Sequence, residues 1–402
     1  MLYVLKFGGS SVADAEKIKR AAGIVADVYC EGHDVVTVVS ARGDATDELT
    51  ADALTVNSRP SKRELDVLLS TGEQASAALM AMAIEKIGLP VVSLTGKQIG
   101  INTDSVYGAA RIKSVSTERL RNELDRRRIV IAAGFQGINK FDDITTLGRG
   151  GSDTTAVAVA AALHADRCLI YTDVEGVYTA DPRNVQGAEK LAEITYDEML
   201  ELASLGAQVL HNRSVEMAKR YGIRLEVLSN SGKSSGTIVK EVVRQLEEMK
   251  ISGVAKDKDV ARIAVIGVPD EPGMAFRLFR ALAKRNISVD IILQSYGKDG
   301  TNDISFTVAE KDVEDAEEAM ESSRDAIGYS HLSVNTDVAK ISIVGAGMIS
   351  SPGIAATMFE ALYDAKINIH MISTSEIKIS VLIDEIYADS AVTAIHGKFF
   401  GH

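Results

Sequence analysis

Short continuous runs of apolar, mostly β-branched residues recur through the first 240 residues, and helical patterns lie between them. The runs cover residues 2–5, 35–39, 91–94, 129–133 and 168–171, and residues 225–228 are a further candidate. Runs without polar alternation are typical of strands that are covered on both faces. Helices between such strands imply βαβ crossovers and a mostly parallel sheet. The sequence therefore predicts an α/β fold whose ligands bind beyond the carboxyl ends of the strands.

A glycine-rich turn, KFGGSS at residues 6–11, follows the first run and precedes a helical pattern. Its two glycines let the backbone approach a bulky anion, and the N-terminus of the following helix presents free N–H groups. Lys6 adds a point charge suited to phosphate, and the two serines add hydroxyl donors. The turn predicts a phosphate site, although an ordinary strand-to-helix turn with a solvated lysine has the same pattern.

A second anion-ready turn, GRGGSDTT at residues 148–155, leads into an alanine-rich helix over residues 156–162. Arg149 could clamp a carboxylate through two hydrogen bonds. Asp153 could act on an ammonium group or order the lysines around a transferred phosphate. The alternative is a helix cap with a surface arginine, and the density of glycine favours the binding site.

A long polar loop over residues 171–183 contains turn residues throughout. Thr172 and Asp173 end the preceding strand, Tyr178 offers an aromatic wall and Arg183 offers charge. Together they could hold the base, ribose and phosphates of a nucleotide, and the alternative is a long surface loop. Lys233, in a polar loop over residues 230–237, either reaches the phosphates or is solvated.

Two further polar stretches suit a small charged substrate. In residues 40–49, Thr46 or Asp47 either caps the next helix or faces the substrate. Residues 70–74 are expected to open another helix, where Glu73 could hold the ammonium group of an amino acid. A favourable interaction with the helix dipole is the alternative reason for the position of Glu73.

The second half of the chain contains an internal repeat. Residues 262–268 precede Pro272-Gly273, and residues 340–346 precede Pro352-Gly353. Each copy reads as strand, Pro-Gly turn, amphipathic helix and strand. One copy has too little core to stand alone, so the copies should pair with each other or with another chain. We therefore expect a catalytic domain over residues 1–245, with residues 240–250 as a charged helical linker. A regulatory domain should cover residues 246–402, with repeats at about 262–330 and 338–402 that follow one another or interleave.

Composition excludes several classes of function. The net charge of −12 argues against a surface for nucleic acid or anionic membranes, and no apolar run has transmembrane length. Cys30 and Cys168 lack metal-ligand spacing and are expected to be small buried or half-buried side chains. No metal site made by protein side chains is predicted. The absence of a charged leader and of a disulfide framework favours a cytoplasmic protein.

Taken in order, six motifs resemble those of the bacterial aspartate kinase family in the amino-acid kinase superfamily: KFGGSS, SARGDATDEL, STGEQ, AGFQG, TTLGRGGSDTTAVA and YTDVEGVYTADPR. The repeat resembles two ACT modules. The resemblance implies an amino-acid-kinase sandwich followed by a ferredoxin-like α+β tandem. It also implies phosphorylation of the side-chain carboxylate of L-aspartate by ATP to give L-aspartyl-4-phosphate and ADP, with Mg²⁺ bound through ATP. This reaction opens lysine, threonine and methionine synthesis by the diaminopimelate route.

The resemblance also implies roles for individual residues. The catalytic residues would be Lys6 and Asp153. The residues that bind aspartate would be Thr46, Asp47, Glu73, Phe135, Arg149 and Ser152. The residues that bind the nucleotide would be Lys6, Phe7, Gly8, Gly9, Ser10, Ser40, Arg149, Gly150, Gly151, Ser152, Thr172, Asp173, Tyr178, Thr179, Ala180, Asp181, Pro182, Arg183, Gln208 and Lys233. The residues that bind lysine or threonine as feedback effectors would be Asp270, Gly273, Ser288, Val289, Asp290, Gln294, Ile354, Ala355, Asn368, Ile369 and Ser375.

Assembly and regulation are expected to follow the same pattern. The ACT modules imply a homo-oligomer of at least two chains, inhibited by lysine, threonine or both. Met249 lies where some relatives start a separate regulatory chain. The chain departs from the family pattern at Gln208, where many relatives have lysine, and at Arg42, Ala45 and Asn212.

Two other functions stay open at this point. Another amino-acid kinase, for acetylglutamate or glutamate, is disfavoured by the ACT pair and by the STGEQ stretch. A catalytically silent amino-acid sensor is disfavoured by the intact Lys6, Asp153 and Arg149, while Gln208 leaves some room for it.

Overall fold

The computed structural model describes residues 1–205, 209–231, 235–242, 251–297, 300–348 and 351–401. The chain forms two compact units. The first contains Met1–Tyr178 and Lys190–Arg244, and the second contains Thr179–Glu189 and Gln245–His402. The expectation of one continuous domain over residues 1–245 differs from this division at Thr179–Glu189, a segment that packs with the second unit.

The first unit alternates strands and helices. Its strands are β1 (Leu2–Phe7), β2 (Asp34–Val39), β3 (Val91–Leu94), β4 (Ile101–Thr103), β5 (Ile112–Val115), β6 (Ile129–Ala133), β7 (Gln136–Ile138), β8 (Ile144–Thr146), β9 (Arg167–Thr172), β10 (Glu193–Thr195), β11 (Leu225–Ser229) and β12 (Thr237–Lys240). Its helices are α1 (Ala15–Cys30), α2 (Ala45–Val56), α3 (Lys62–Ile87), α4 (Glu118–Asp125), α5 (Gly151–Leu163), α6 (Tyr196–Ser204) and α7 (Asn212–Tyr221).

Eight of these strands form the central sheet, in the order β10-β12-β11-β9-β1-β2-β6-β3. All neighbouring pairs are parallel except β11 and β12. The predicted mostly parallel sheet is therefore confirmed, and the continuous apolar runs at residues 35–39 and 129–133 are fully buried as expected. A smaller sheet has the order β5-β4-β7-β8.

Helices cover both faces of the central sheet. On one face, α1 and α3 share a core with Tyr3, Leu5 and Phe7 of β1. On the other face, α5 packs against β1, β2 and β9, and almost all of its residues are buried because they are small. Side chains alternate along a strand, so Lys6 of β1 points to the face that α5 covers.

The expectation that residues 70–74 open a helix is wrong. Helix α3 begins at Lys62, where the Ser61 side chain accepts a hydrogen bond from the Glu64 N–H at 3.4 Å. It continues through Gly72, where a Cβ atom would lie 2.9 Å from the Ala41 Cβ. Only glycine fits there because α3 packs closely against Ala41, and the helix starts ten residues earlier. Thr237, expected in a polar loop, begins strand β12.

Among the described residues, α3 alone is long and apolar enough to cross a membrane by length and composition. Half of its apolar window is buried inside the protein. A buried core helix passes the same length and composition test, and α3 packs against α1, β3 and β6.

The second unit contains the internal repeat. Its strands are β13 (Gly253–Asp257), β14 (Ala261–Pro269), β15 (Ile292–Tyr296), β16 (Thr301–Val308), β17 (His331–Asn335), β18 (Val338–Val344), β19 (Met371–Thr374) and β20 (Lys378–Asp384). Its helices are α8 (Met274–Lys284), α9 (Val313–Ser322), α10 (Arg324–Ile327), α11 (Ile354–Asp364) and α12 (Ala388–Phe400). The two copies share one local geometry, because Gly273 and Gly353 precede α8 and α11 with φ angles of 97° and 100°.

Each copy builds its own four-stranded sheet, in the orders β15-β16-β14-β17 and β13-β18-β20-β19. Strand β13 precedes the first copy in the chain but pairs antiparallel with β18 of the second copy. The two copies are thus interleaved in sequence. Buried Lys340 of β18 joins them through an ion pair of 2.5 Å to Asp290 of the first copy, and it also pairs at 3.2 Å with Asp257 of β13 in its own sheet.

Candidate active site

The polar motifs of the first unit meet at one edge of the central sheet. Strands β11, β9, β1, β2 and β6 are neighbours, so their carboxyl ends lie side by side. The residues that follow these ends are Asn230, Asp173, Gly8, Ser40 and Gly134. The first glycine turn follows β1 at this edge, and the second reaches it through Asp153, which pairs with Lys6. A ligand site is expected at such an edge of a parallel sheet.

An ion pair lies at the centre of this edge. The Lys6 Nζ and the Asp153 Oδ1 are 2.6 Å apart, and their side chains are 11% and 13% exposed. Lys6 stands near the end of β1, and Asp153 lies in the first turn of α5. A charge-assisted pair with little solvent around it keeps the ammonium group in a defined position.

The two glycine turns frame this pair with backbone. A Cβ atom on Gly9 would lie 2.8 Å from the Ala41 carbonyl oxygen, and one on Gly8 would lie 3.4 Å from the Lys6 Nζ. Gly150 precedes α5 with a φ of 67°, and no described side chain caps this helix. The first N–H groups of a helix have no partner within it. The Gly151 N–H donates to the Gly148 carbonyl oxygen at 2.9 Å, which leaves the N–H groups of Ser152 and Asp153 for an anion next to Lys6.

Glu73 is a buried carboxylate with unused hydrogen-bonding capacity. Its Oε1 accepts the Ala41 N–H at 3.1 Å, while its buried Oε2 has no hydrogen-bond partner among the described residues. Burial raises the pKa of Glu73 to about 7. A buried carboxylate oxygen without a donor is costly, so Glu73 is suited to a cationic ligand group.

The other residues expected to bind an amino acid differ in their placement. Ser152 is buried, and a Cβ atom on Gly134 would lie 2.8 Å from its Oγ. Phe135 has a φ of 67° and donates its N–H to the Thr155 Oγ1 at 3.2 Å. A Cβ atom on Gly151 would lie 2.8 Å from the Phe135 ring, so this ring borders the turn that carries Ser152.

Three more of these residues lie on the outer part of the edge. Thr46 and Asp47 are in the first turn of α2, which begins one residue earlier, at Ala45. Asp47 is exposed and Thr46 is half-buried. Arg149 is exposed in the turn that precedes α5. Of the six residues, Glu73 and Ser152 are thus buried, Phe135 and Thr46 are half-buried, and Asp47 and Arg149 are exposed.

The predicted nucleotide residues of the first unit surround the ends of β1 and β9. Thr172 donates its hydroxyl to the Asp173 carboxylate at 3.1 Å. Phe7 contributes its backbone to the turn, while its ring stacks on Tyr171 in the core with centroids 4.7 Å apart. Tyr178 is half-buried, and burial raises the pKa of its hydroxyl. Gln208 and Lys233 lie outside the described residues. A cavity of about 260 Å³ is lined by Phe7, Ser10, Ser11, Lys17, Arg20, Ala21, Asp173 and Asn230.

Five residues that were predicted to bind the nucleotide belong to the second unit, whereas Lys6 belongs to the first. They are Thr179, Ala180, Asp181, Pro182 and Arg183. The Thr179 Oγ1 lies 2.9 Å from the His396 Nε2, and Ala180 is buried in the core with Ile341 and Met358. Asp181 pairs with Arg183 at 2.9 Å, which lowers the pKa of Asp181. Residues 171–183 are therefore divided between the two units.

The predicted effector residues lie on both copies of the repeat. Asp270 accepts a hydrogen bond from the Asn302 side chain at 2.8 Å. The Asp290 carboxylate is already paired with Lys340, whose pKa is raised by Asp290 and Asp257 against the effect of burial. The remaining residues lie on helix starts, loops and strands: Gly273, Ser288, Val289, Gln294, Ile354, Ala355, Asn368, Ile369 and Ser375.

Two residues at the edge were not expected from sequence. His211 precedes α7, and its ring packs against Gly150. Arg213 donates to the carbonyl oxygens of Leu147 at 2.5 Å and Ala110 at 2.9 Å. A polar residue before a helix predicts only a cap, so no local signal connects these side chains with the glycine turn.

Comparison with known proteins agrees with this architecture. A model of the amino acid kinase family matches residues 1–229, and ACT-domain models match residues 262–325 and 341–399. An aspartokinase of Bacillus sp. (strain MGA3) is 48% identical over 398 residues, which cover 99% of this chain and 97% of that protein. An aspartokinase of Geobacillus stearothermophilus is 49% identical with the same coverage of both chains.

Solved structures show the same relationship. Aspartate kinase from Synechocystis is 45% identical, with a TM-score of 0.57, and the match covers 100% of this chain and 70% of that one. Aspartokinase III of E. coli, crystallised with aspartate and ADP, is 25% identical with a TM-score of 0.85, and the match covers 100% of both chains.

Proposed function

The chain belongs to the aspartokinase family and is an aspartate kinase, and from this premise we propose the reaction and the roles of its residues. The reaction transfers the γ-phosphoryl group of ATP to the side-chain carboxylate of L-aspartate and yields L-aspartyl-4-phosphate and ADP. The observation that carries the proposal is the Lys6–Asp153 pair at the uncapped start of α5, between two glycine turns. A related enzyme crystallised with aspartate and ADP supports the choice of ligands.

For phosphoryl transfer, the protein mainly has to align the two substrates and neutralise the charge on the phosphoryl oxygens. A carboxylate oxygen of aspartate forms a bond to the γ-phosphorus, and the bond from this phosphorus to the bridging oxygen of ADP breaks. No side-chain nucleophile is needed because the substrate carboxylate attacks. Lys6 and the free N–H groups of α5 stabilise charge on the phosphoryl oxygens as it develops. Asp153 holds the Lys6 ammonium group in place until the phosphate arrives.

Mg²⁺ is proposed as an ion that ATP carries to the site. The described residues include no group of three or more His, Cys, Asp or Glu side chains arranged to hold a metal. The phosphate oxygens would therefore supply most of its ligands, as is common for Mg²⁺ bound to nucleotides. When bound, the ion neutralises phosphate charge.

Glu73 is proposed to bind the ammonium group of aspartate. Its Oε2 has no donor among the described residues, and an ammonium group would supply one. Arg149 is proposed to take a carboxylate of the substrate, with Thr46, Asp47, Phe135 and Ser152 around it. The nucleotide is proposed to lie along the ends of β1 and β9, next to Ser40, Thr172 and Asp173.

Regulation by end products is proposed for the second unit. ACT modules bind amino acids in the related family, and the reaction opens the synthesis of lysine, threonine and methionine. Lysine, threonine or both would therefore inhibit a cytoplasmic homo-oligomer. A short regulatory chain that starts at Met249, which lies outside the described residues, stays a prediction. Loss of a short product on Met249→Leu would support it.

A product trap tests the reaction. Hydroxylamine converts an acyl phosphate into a hydroxamate, so incubation with Mg-ATP and L-aspartate should give aspartyl hydroxamate in an amount equal to the ADP released. Reactions without amino acid should give neither. If N-acetylglutamate gave the product and L-aspartate did not, the proposed substrate would be wrong.

A further inference from the structure

The imidazole of His211 is in close contact with the second glycine turn. A Cβ atom built on Gly150 would lie 2.2 Å from the His211 Cγ, 2.3 Å from its Cβ and 2.5 Å from its Cδ2. The ring therefore covers the Gly150 Cα, and no side chain fits between them. Gly150 also has a φ of 67°, which favours glycine independently.

Arg213, in the first turn of α7, hydrogen-bonds both His211 and the glycine turn. The His211 Nδ1 accepts the Arg213 N–H at 3.4 Å, so this nitrogen acts as an acceptor. The Arg213 guanidinium donates to the Leu147 carbonyl oxygen at 2.5 Å. Leu147 and Gly150 stand at the two ends of the turn that carries Arg149. The N-terminal end of α7 thus contacts this turn at Leu147 and at Gly150.

The surroundings of the imidazole favour its neutral form. Burial lowers the pKa of His211 and Arg213 lowers it further, while Asp153 of α5 acts in the opposite direction. With Nδ1 as the acceptor, the ring proton is on Nε2. A neutral ring leaves the Asp153 carboxylate to Lys6 instead of competing for it.

We infer that His211 is a positioning residue for phosphoryl transfer. Its ring packs on Gly150 and keeps the first turn of α5, with Ser152 and Asp153, aligned beside Lys6. The inference rests on the proposed function. A loosened turn would displace Arg149 and Ser152, which are proposed to bind aspartate, although Glu73 on α3 would still hold the ammonium group. It would also misalign the transferring group, and displacements of about 1 Å can cost about 100-fold in rate. The effect should therefore appear in kcat, with a smaller rise in the KM for aspartate.

Two variants separate the packing of the ring from its role as a helix cap. His211→Asn keeps a side-chain acceptor for the Arg213 N–H but removes the ring. His211→Phe keeps a flat ring on Gly150 but removes the acceptor. We expect kcat to fall about 10-fold or more in His211→Asn and less than about 3-fold in His211→Phe. The KM for aspartate should rise about 2-fold or more in His211→Asn and change less than about 2-fold in His211→Phe.

His164 offers a matched control, because it is exposed at the C-terminal end of α5, the helix whose N-terminal end is in contact with His211. His164→Asn should have wild-type kinetics. If His211→Asn does not fold, His211→Gln makes the same test, since it also removes the ring and keeps a polar side chain, and kcat should again fall. An unchanged kcat in the folded variant, or His211→Phe as slow as His211→Asn, would overturn the inference. A wild-type protein without aspartate-dependent turnover would overturn the proposed function and this inference with it.

Discussion

At the scale of single residues, the site contains two charged groups in different surroundings. Lys6 has a counter-ion in Asp153, 2.6 Å away, so its charge is balanced before any ligand binds. Among the described residues, Glu73 has no cationic partner, and one of its buried oxygens has no donor. A carboxyl group whose pKa is raised by burial as strongly as that of Glu73 is typical of functional sites. Glu73 therefore gives the site its clearest dependence on pH.

The first prediction concerns the pH dependence of kcat/KM for aspartate. Glu73 must be ionised to bind an ammonium group, and its pKa is about 7 in the free protein. Since kcat/KM reports ionisations of the free enzyme, it should fall about 10-fold per pH unit below about pH 7. Glu73→Gln should lower kcat/KM by about 10-fold or more above pH 7 and remove this acid limb. Glu85→Gln, exposed on the same helix, is the control. An acid limb that persists in Glu73→Gln would exclude this role.

The second prediction concerns stability without ligands. The folded pKa of Glu73 is raised from 4.5 to about 7, so the folded protein holds this proton more tightly than the unfolded chain. That contribution to stability is complete below about pH 4.5 and is lost as pH rises through about 7. Glu73→Gln should therefore gain about 1–3 kcal/mol of unfolding free energy relative to wild type between about pH 5 and about pH 8. Thermal melts at both pH values measure this, and an advantage that shrinks with rising pH would contradict it.

At the scale of elements, local pattern predicted much of the first unit. The continuous apolar runs gave the central strands, and the GGSS and GRGGSD turns lie at their carboxyl ends. Misplaced boundaries arose where tertiary contacts outweigh local signals. Gly72 lies inside α3 because it packs on Ala41, and Thr237 is in a strand because its hydroxyl bonds the Leu191 carbonyl oxygen at 2.6 Å. The contact of His211 with Gly150 joins residues distant in sequence, and no local pattern encodes it.

The segment Thr179–Glu189 shows the same limit on a larger scale. Its sequence reads as a continuation of a nucleotide loop, but Ala180 and Val185 are buried in the core of the second unit. Thr179 also accepts the Val254 N–H at 2.7 Å through its carbonyl oxygen. Two small apolar residues in a polar loop give little sign of such burial.

The third prediction tests where this segment belongs. Val185→Asp places an unpaired charge in the core of the second unit, which should destabilise that unit by several kcal/mol. Hydrogen exchange should then accelerate in β13 and β18 and stay unchanged in β1 and β9. Gln186→Asp, exposed next to it, is the matched control. Acceleration confined to β9 would assign the segment to the first unit instead.

At the scale of the whole molecule, the chain combines a kinase unit with a unit made of two interleaved copies. Buried Lys340 joins the copies through Asp290, and the loss of one partner of a buried ion pair is destabilising. Strand β15, at the edge of the first sheet, is exposed along its whole length. An exposed edge strand is available for pairing with another chain, which supports the proposed homo-oligomer.

The fourth prediction concerns feedback. Saturating lysine and threonine, alone or together, should raise the aspartate concentration needed for half-maximal rate or lower the maximal rate. Effector binding must differ in affinity between two states of the protein to produce such a shift. Asp270→Ala should weaken the response by about 10-fold in effector concentration. Aspartate saturation curves that are unchanged at every effector concentration would exclude regulation by these amino acids.

Lys6, at the start of the glycine turn, is proposed to stabilise the phosphoryl group that passes from ATP to aspartate. Steady-state ADP release from Mg-ATP, with and without L-aspartate, tests it most directly in wild type and Lys6→Ala. Lys19→Ala, an exposed lysine of α1, is the control. We predict aspartate-dependent release in wild type and Lys19→Ala, and a loss of about 1,000-fold in folded Lys6→Ala. Equal turnover in Lys6→Ala and wild type would contradict the account.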